Sequence, residues 1–166
     1  MKWLDSFLEY SGETSEELLR YPVANQCDAL VRGFERGIQR KLKRQGQRSL
    51  SPEERLVLAV RALHREVGNG GYDQFLRNSS REFAPTIVDS LQKIGCKKVA
   101  AITRKALDEL SLPWLAIRAT GTAMSRGDDT RDEALERCDR EFYKCPEDIS
   151  RRLYVFIKSN KAHIRF

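Results

Sequence analysis

The run Glu66-Val67-Gly68-Asn69-Gly70-Gly71-Tyr72-Asp73-Gln74-Phe75-Leu76-Arg77-Asn78-Ser79-Ser80 lies near the middle of a 166-residue chain. Before it, Leu56, Ala59, Val60, Leu63 and Val67 recur every three or four positions and predict the buried stripe of a helix. Three glycines within four positions then interrupt that helix. Gly68 is the expected stop, in the left-handed conformation that closes many helices. Tyr72, Phe75 and Leu76 resume helical spacing as core residues. Gln74 and Asn78, four apart, are expected to bond backbone groups left open by the turn, and Ser79 or Ser80 to cap the next segment.

Two chemical readings compete with this one. Glycines that open a helix can present N–H groups to a phosphate. A Walker loop, however, needs a lysine after the last glycine, and a Rossmann loop needs a preceding strand, and this stretch has neither. Glu66, Asp73 and His64 are close enough in sequence to suggest acid–base work. Yet His64 and Glu66 are two apart on a helix and point in different directions. Glu66, Asn69, Gly70, Gly71, Tyr72, Gln74, Phe75, Asn78 and Ser79 are therefore read as a turn and core plug with no catalytic residue. An enzyme built on Glu66, Asp73 and His64 is the weaker alternative.

The flanking chain reads as helix throughout. Trp3, Leu4, Phe7 and Leu8 predict a short amphipathic helix over 2–10. Thr14 and Glu17 form a capping-box pair. Val23, Cys27, Leu30, Val31, Phe34, Ile38 and Leu42 make one long stripe, and 45–50 is a linker. Ser51-Pro52-Glu53-Glu54 is the clearest helix start, with cap, proline and box in place. Ala84-Pro85 opens a helix with Ile87, Val88, Leu91 and Ile94 inward, ended by Gly95. Lys97-Lys98 starts the next, with Val99, Ile102, Ala106, Leu107 and Leu110 inward. Residues 112–117 around Trp114 read as an apolar connector, and 120–129 as loop. Thr130 is the expected cap of a helix with Ala134, Leu135, Cys138 and Phe142 inward. A last helix spans 147–161, with Ile149, Leu153, Phe156 and Ile157 inward. No strand-like alternation reaches five residues. The fold class is all-α: one domain of about seven or eight helices. Residues 1–50, including the long basic helix, are expected to pack on the same core as a 51–166 helical domain.

Charge is unevenly placed. The chain is 33% charged with a net charge of +6. Residues 31–50 carry seven cations, among them Arg32, Arg36, Arg40, Lys43 and Arg44, against Glu35 alone. Such a row is a solvated face, a nucleic-acid face or a face for an acidic partner. No aromatic residue lies on that stripe to stack on bases. Residues 128–148 reverse the sign, with nine carboxylates against four cations. Asp128, Asp129, Asp132, Glu133, Glu136 and Asp139 make this an acidic interaction patch. Cys27, Cys96, Cys138 and Cys145 form no CxxC pair, and the two histidines are far apart, so neither a metal nor a cofactor is expected. The first ten residues lack the apolar core of a signal peptide, and no stretch has the roughly 20 apolar residues of a membrane span. A cytoplasmic protein with free thiols is expected.

The run Glu66-Val67-x-Asn69-Gly70-Gly71-Tyr72-x-Gln74-Phe75-x-x-Asn78-Ser79-Ser80 resembles the signature of the bacterial DNA-mimic protein C-terminal-like domain family, long listed as a domain of unknown function. Leu91-x-x-Ile94-Gly95, Phe142-Tyr143, Asp148-Ile149 and Leu153-Tyr154-Val155-Phe156-Ile157-x-x-Asn160 resemble its later segments, so the likeness covers about 51–166. Arg81 stands where the family usually has glycine. The resemblance implies an all-α fold and, for the founding member, a dimer whose acidic surface imitates DNA and occupies a transcription factor. Here the acid for such imitation is confined to 128–148. The expected function is a non-enzymatic, regulatory protein-interaction module without membrane contact. Nucleic-acid binding by the basic 32–48 helix is the alternative.

Overall fold

The computed structural model describes residues 10–22, 26–110 and 117–166. The helix expected over 2–10, apart from Tyr10, and the connector around Trp114, apart from Ile117, lie outside the described residues, as does Val23. Eight α-helices form, with no strand among the described residues. They are α1 (Ser15–Arg20), α2 (Cys27–Gln45), α3 (Pro52–Arg77), α4 (Ala84–Lys93), α5 (Lys97–Asp108), α6 (Ile117–Ser125), α7 (Asp129–Lys144) and α8 (Ile149–Ser159). Short 3-10 turns at Gln47–Ser49 and Ser79–Phe83 precede and follow α3. The protein is all-α. It divides into two compact units: residues up to Leu58 with Ser150–Phe166, and Ala59–Ile149. The division falls inside α3 and at the start of α8.

In the first unit, the Thr14 box closes as its spacing predicts. Glu17 N–H donates to Thr14 Oγ1 (3.3 Å), and Thr14 N–H to a Glu17 carboxylate oxygen (2.8 Å). On α2, Leu30, Val31, Phe34 and Ile38 are fully buried. Their periodicity puts four large side chains on one face. The end of the chain docks on the same helix. Ile164 is buried, and the Phe166 ring meets Phe34 edge-on, with centroids 5.6 Å apart. Gly37 permits this approach, because a Cβ there would overlap the Phe166 ring. On α8, Leu153, Tyr154 and Ile157 face inward, whereas Phe156 is half-buried. Ser51 caps α3 as expected: Ser51 N–H donates to Glu54, and Glu54 N–H donates to Ser51 Oγ, both at 3.0 Å.

In the second unit, Val60, Leu63, Val67, Tyr72, Phe75, Leu76, Ile87 and Leu91 are buried, as are the expected inward residues of α5. Gly95 (φ +84°) ends α4 in a Schellman turn, with Cys96 N–H donating to Leu91 O and Gly95 N–H to Gln92 O, both 2.9 Å. Glu147 reaches the first turn of α5 and accepts from Val99 N–H (3.0 Å), where the helix dipole favours an anion.

Two expectations fail here. Residues 120–125 are helix and not loop, although Gly121 costs that helix about 1 kcal/mol relative to alanine. Met124 is buried, and the buried Arg131 guanidinium donates to the α6-end carbonyls of Ala123 (2.7 Å) and Arg126 (3.0 Å). These anchors, from a side chain five to eight residues further on and from burial, outweigh the turn signals. The cap of α7 is Asp128, whose carboxylate accepts from Arg131 N–H (3.0 Å); Thr130 already lies inside the helix.

Candidate functional site

The central run is a kink held from three sides. α3 stays helical through Gly68 and Asn69 and breaks only at Gly70 and Gly71. Gly68 is therefore not the stop. The left-handed residue is Gly71 (φ +73°), and a Cβ there would run into the Asp139 carboxylate of α7. Asp139 is placed to accept the Tyr72 N–H freed by the kink (2.8 Å). The Tyr143 hydroxyl takes one of the carbonyls freed by the same break, Val67 O (2.7 Å). Tyr72 is fully buried, with its phenol 2.8 Å from Thr103 Oγ1 and its ring edge-on to Phe142. Burial pushes the phenol pKa far up, so Tyr72 is a neutral core group.

The amides act differently from the expectation. Gln74 and Asn78 both donate to Glu66 Oε2, each at 2.8 Å, and not to backbone. The kink at Gly70 and Gly71 brings a carboxylate from the turn before it within their reach. Gln74 packs so close to Gly70 that a Cβ at Gly70 would overlap it. Burial pushes the Glu66 carboxyl up, but the two amides and Arg65 outweigh it and hold its pKa below the usual range. A depressed acid stabilises the fold above its unfolded pKa, and this is lost as pH falls through the folded value. Glu66→Gln is expected to cost about 1–2 kcal/mol at neutral pH and nearly nothing in acid below the folded pKa. Urea melts of both proteins across that range read the difference.

Ser80 caps backwards, its hydroxyl donating to Phe75 O (3.1 Å), while Ser79 and Asn69 stand exposed. Arg81 donates to the carbonyls of Arg77 (2.7 Å) and Asn78 (3.1 Å), so a cation sits at the negative end of α3. Gly121 of α6 leaves room for that guanidinium, 3.3 Å from where a Cβ would stand. The three residues of the catalytic alternative take different partners. His64 Nδ1 lies 3.3 Å from Arg61, Asp73 pairs with Arg77 at 2.7 Å, and Glu66 holds the amides. Among the described residues, no group of three or more His, Cys, Asp or Glu comes together as a metal site.

The acids of α7 divide into engaged and free. Asp128 caps, Asp132 pairs with Arg131 (2.7 Å), Glu141 pairs with Lys105 (2.9 Å), and Asp139, expected to face outward, is half-buried against Tyr72. Burial raises the Asp139 pKa, and the charges of Asp73 and Glu136 add to the rise, partly offset by the Tyr72 N–H. Asp129, Glu133 and Glu136 remain exposed on successive turns, and Glu136 has only a loose contact with Arg140 at 3.8 Å.

On α2, Arg32 pairs with Asp28 (3.1 Å). Lys41 turns inward to Glu54 (2.8 Å). Arg36, Arg40, Lys43 and Arg44 stand exposed. They border two adjoining clefts of about 560 and 300 Å³. Tyr10 lines both clefts, and Arg165 lines the larger.

Residues 48–160 match the family model described as DMP19-like protein. The chain belongs to the DMP19-like protein family. The matched segment holds the kinked helix, its Glu66 clasp and the Asp139 brace, the geometry just described. No curated protein and no solved structure matches the chain significantly. Among the described residues, no helix is long and apolar enough to cross a membrane.

Proposed function

We propose that the chain is a non-enzymatic protein-interaction module that occupies a basic, DNA-binding protein. The observation that carries this reading is the exposed row Asp129, Glu133 and Glu136 on α7, in a chain of a family known for DNA mimicry. The row advances about 5 Å per step, and its charges are little neutralised by neighbours. B-DNA carries one charge per ~1.7 Å of axis, so the row imitates only a few phosphates and suits a local basic patch, not a long DNA channel. The central kink supports the row indirectly, because Asp139 ties α7 to Tyr72. A homodimer, implied by the family resemblance, would present two such rows.

Reversing Asp129, Glu133 and Glu136 to lysine is expected to abolish capture of a basic partner from nuclease-treated lysate while lowering the melting midpoint only modestly, by the roughly 1 kcal/mol that a cation in place of Asp129 costs at the start of α7. Undiminished capture by the reversed variant would rule out α7 as the contact. Sedimentation of the chain at two concentrations tests the dimer.

A further inference from the structure

We infer that the cleft along α2 binds single-stranded nucleic acid, with phosphates on the cation row and a base on Tyr10. Arg36, Arg40, Lys43 and Arg44 fall at successive turns of one helix face, advancing about 6 Å per turn. None of these four has a carboxylate partner among the described residues. The Arg40 guanidinium is directed across the loop before α1: a Cβ on Gly12 would stand 2.8 Å from it. Arg165 adds a cation from the chain's last residues.

Among the described residues, one acid, Glu13, borders the larger cleft, and it accepts from Ser11 N–H (2.8 Å), the Ser11 hydroxyl (2.8 Å) and Gly12 N–H (3.1 Å). These bonds hold the carboxylate on its own loop, and its single negative charge is outnumbered by the cations of the row and Arg165. The sequence shows no aromatic on the basic stripe. Folding supplies one: Tyr10, 26 positions before Arg36, lines both clefts beside Arg40.

This combination discriminates between polyanions. A cationic groove with a ring in it is the arrangement that holds single strands, where phosphates meet cations and bases stack on aromatics. A duplex keeps its bases paired inside and would offer Tyr10 nothing to stack on. An acidic peptide would satisfy the cations but has no planar base for the ring. RNA and DNA share the phosphate and base chemistry, and a sugar preference would separate them. The acidic row of α7 has no part in this binding.

The test is fluorescence anisotropy of the full chain with labelled oligothymidylate and oligouridylate of about a dozen nucleotides, at about 50 to 200 mM salt. Expected are binding at the low end and a log–log salt slope of about −2 to −3, from three to four contacts at roughly −0.7 each. Arg40→Glu should weaken both probes at least about tenfold. Tyr10→Ala should weaken them by about 5- to 150-fold, the range that base stacking carries, and Tyr10→Phe should restore them. Should the Tyr10 variant unfold, Arg36→Glu with Lys43→Glu, both at exposed positions, should still weaken both probes at least about tenfold, and polyglutamate should compete worse than either oligonucleotide. A preference for either probe assigns the sugar. No binding at low salt overturns the inference. So does equal competition by polyglutamate with Tyr10→Ala unchanged, which would make the cleft a face for an acidic protein.

Discussion

Gly71→Ala is expected to destabilise the protein by about 3 kcal/mol, while Gly68→Ala, three residues earlier, stabilises it by about 0.5–1 kcal/mol. The two glycines look interchangeable in sequence, yet their surroundings are opposite. Gly68 lies in helical backbone with nothing near a would-be Cβ, so alanine there removes only unfolded-state freedom. Gly71 has φ +73°, which costs an L-residue roughly 1–2 kcal/mol. Its Cβ would also displace the Asp139 carboxylate from the Tyr72 N–H, and an unmet buried donor costs about 1–3 kcal/mol more. Urea denaturation of both variants gives the two signs directly. Asp139→Gly removes the obstructing carboxylate, so the double variant Gly71→Ala/Asp139→Gly should lose less than the two single losses combined. Strict additivity would mean that Gly71 and Asp139 do not meet.

Glu54→Ala is expected to cost about 3–5 kcal/mol, the larger of the two effects. Its carboxylate is wholly buried and accepts Lys41 Nζ on both oxygens (2.8 and 2.9 Å), Ser51 N–H (3.0 Å) and Arg165 N–H (2.9 Å). Removing it leaves the Lys41 ammonium, only 16% exposed at its side chain, with the neutral Arg165 carbonyl (2.9 Å) in place of a counter-charge. It also releases the last residues, whose Ile164 and Phe166 pack against the first unit's core. The charge left behind makes the loss large, not the worth of the pair itself. Glu54→Leu combined with Lys41→Met should therefore recover most of the stability, as measured by urea denaturation. If Glu54→Ala melts like the wild type, the carboxylate does not hold that end of the chain.

Glu54 also shows how far sequence reading reaches. Its place in the Ser51 box follows from spacing alone, because the capping partners lie three residues apart. Its bonds to Lys41 and to Arg165, 13 and 111 positions away, follow from nothing local. The central run divides in the same way. Glycine, aromatic and amide types mark a kink and a core plug, and the buried stripe of α3 reads directly from the three-to-four periodicity. Which glycine turns left-handed depends on Asp139, 68 positions later. The amides of Gln74 and Asn78 face Glu66 because the helix kinks at Gly70 and Gly71, and no propensity encodes the direction of that bend.

The charged faces were legible as composition and not as sites. Counting charges locates the basic stretch at 32–48 and the acidic one at 128–148. It cannot separate Lys41, buried on Glu54, from exposed Arg40, nor Asp139, bonded to Tyr72, from exposed Glu133. It also misses Tyr10 in the cleft, because an aromatic joins a helix face across space without sharing its register. The loop expected over 120–129 holds only at 126–128; over 120–125 it gives way to helix, because glycine and aspartate signals are local, whereas Met124 is buried and Arg131, beyond the turn, bonds the end of α6.

By itself, the sequence determined the all-α class, the helix starts at Thr14, Ser51 and Pro85, the inward stripes and the family, since each depends on contacts within a few residues or on a contiguous run. The tertiary structure alone decided the left-handed position, the partners of Glu66, Glu54 and Asp139, and which charges remain free. Those choices are made by groups tens of residues apart, where burial and hydrogen-bond satisfaction outweigh local preference.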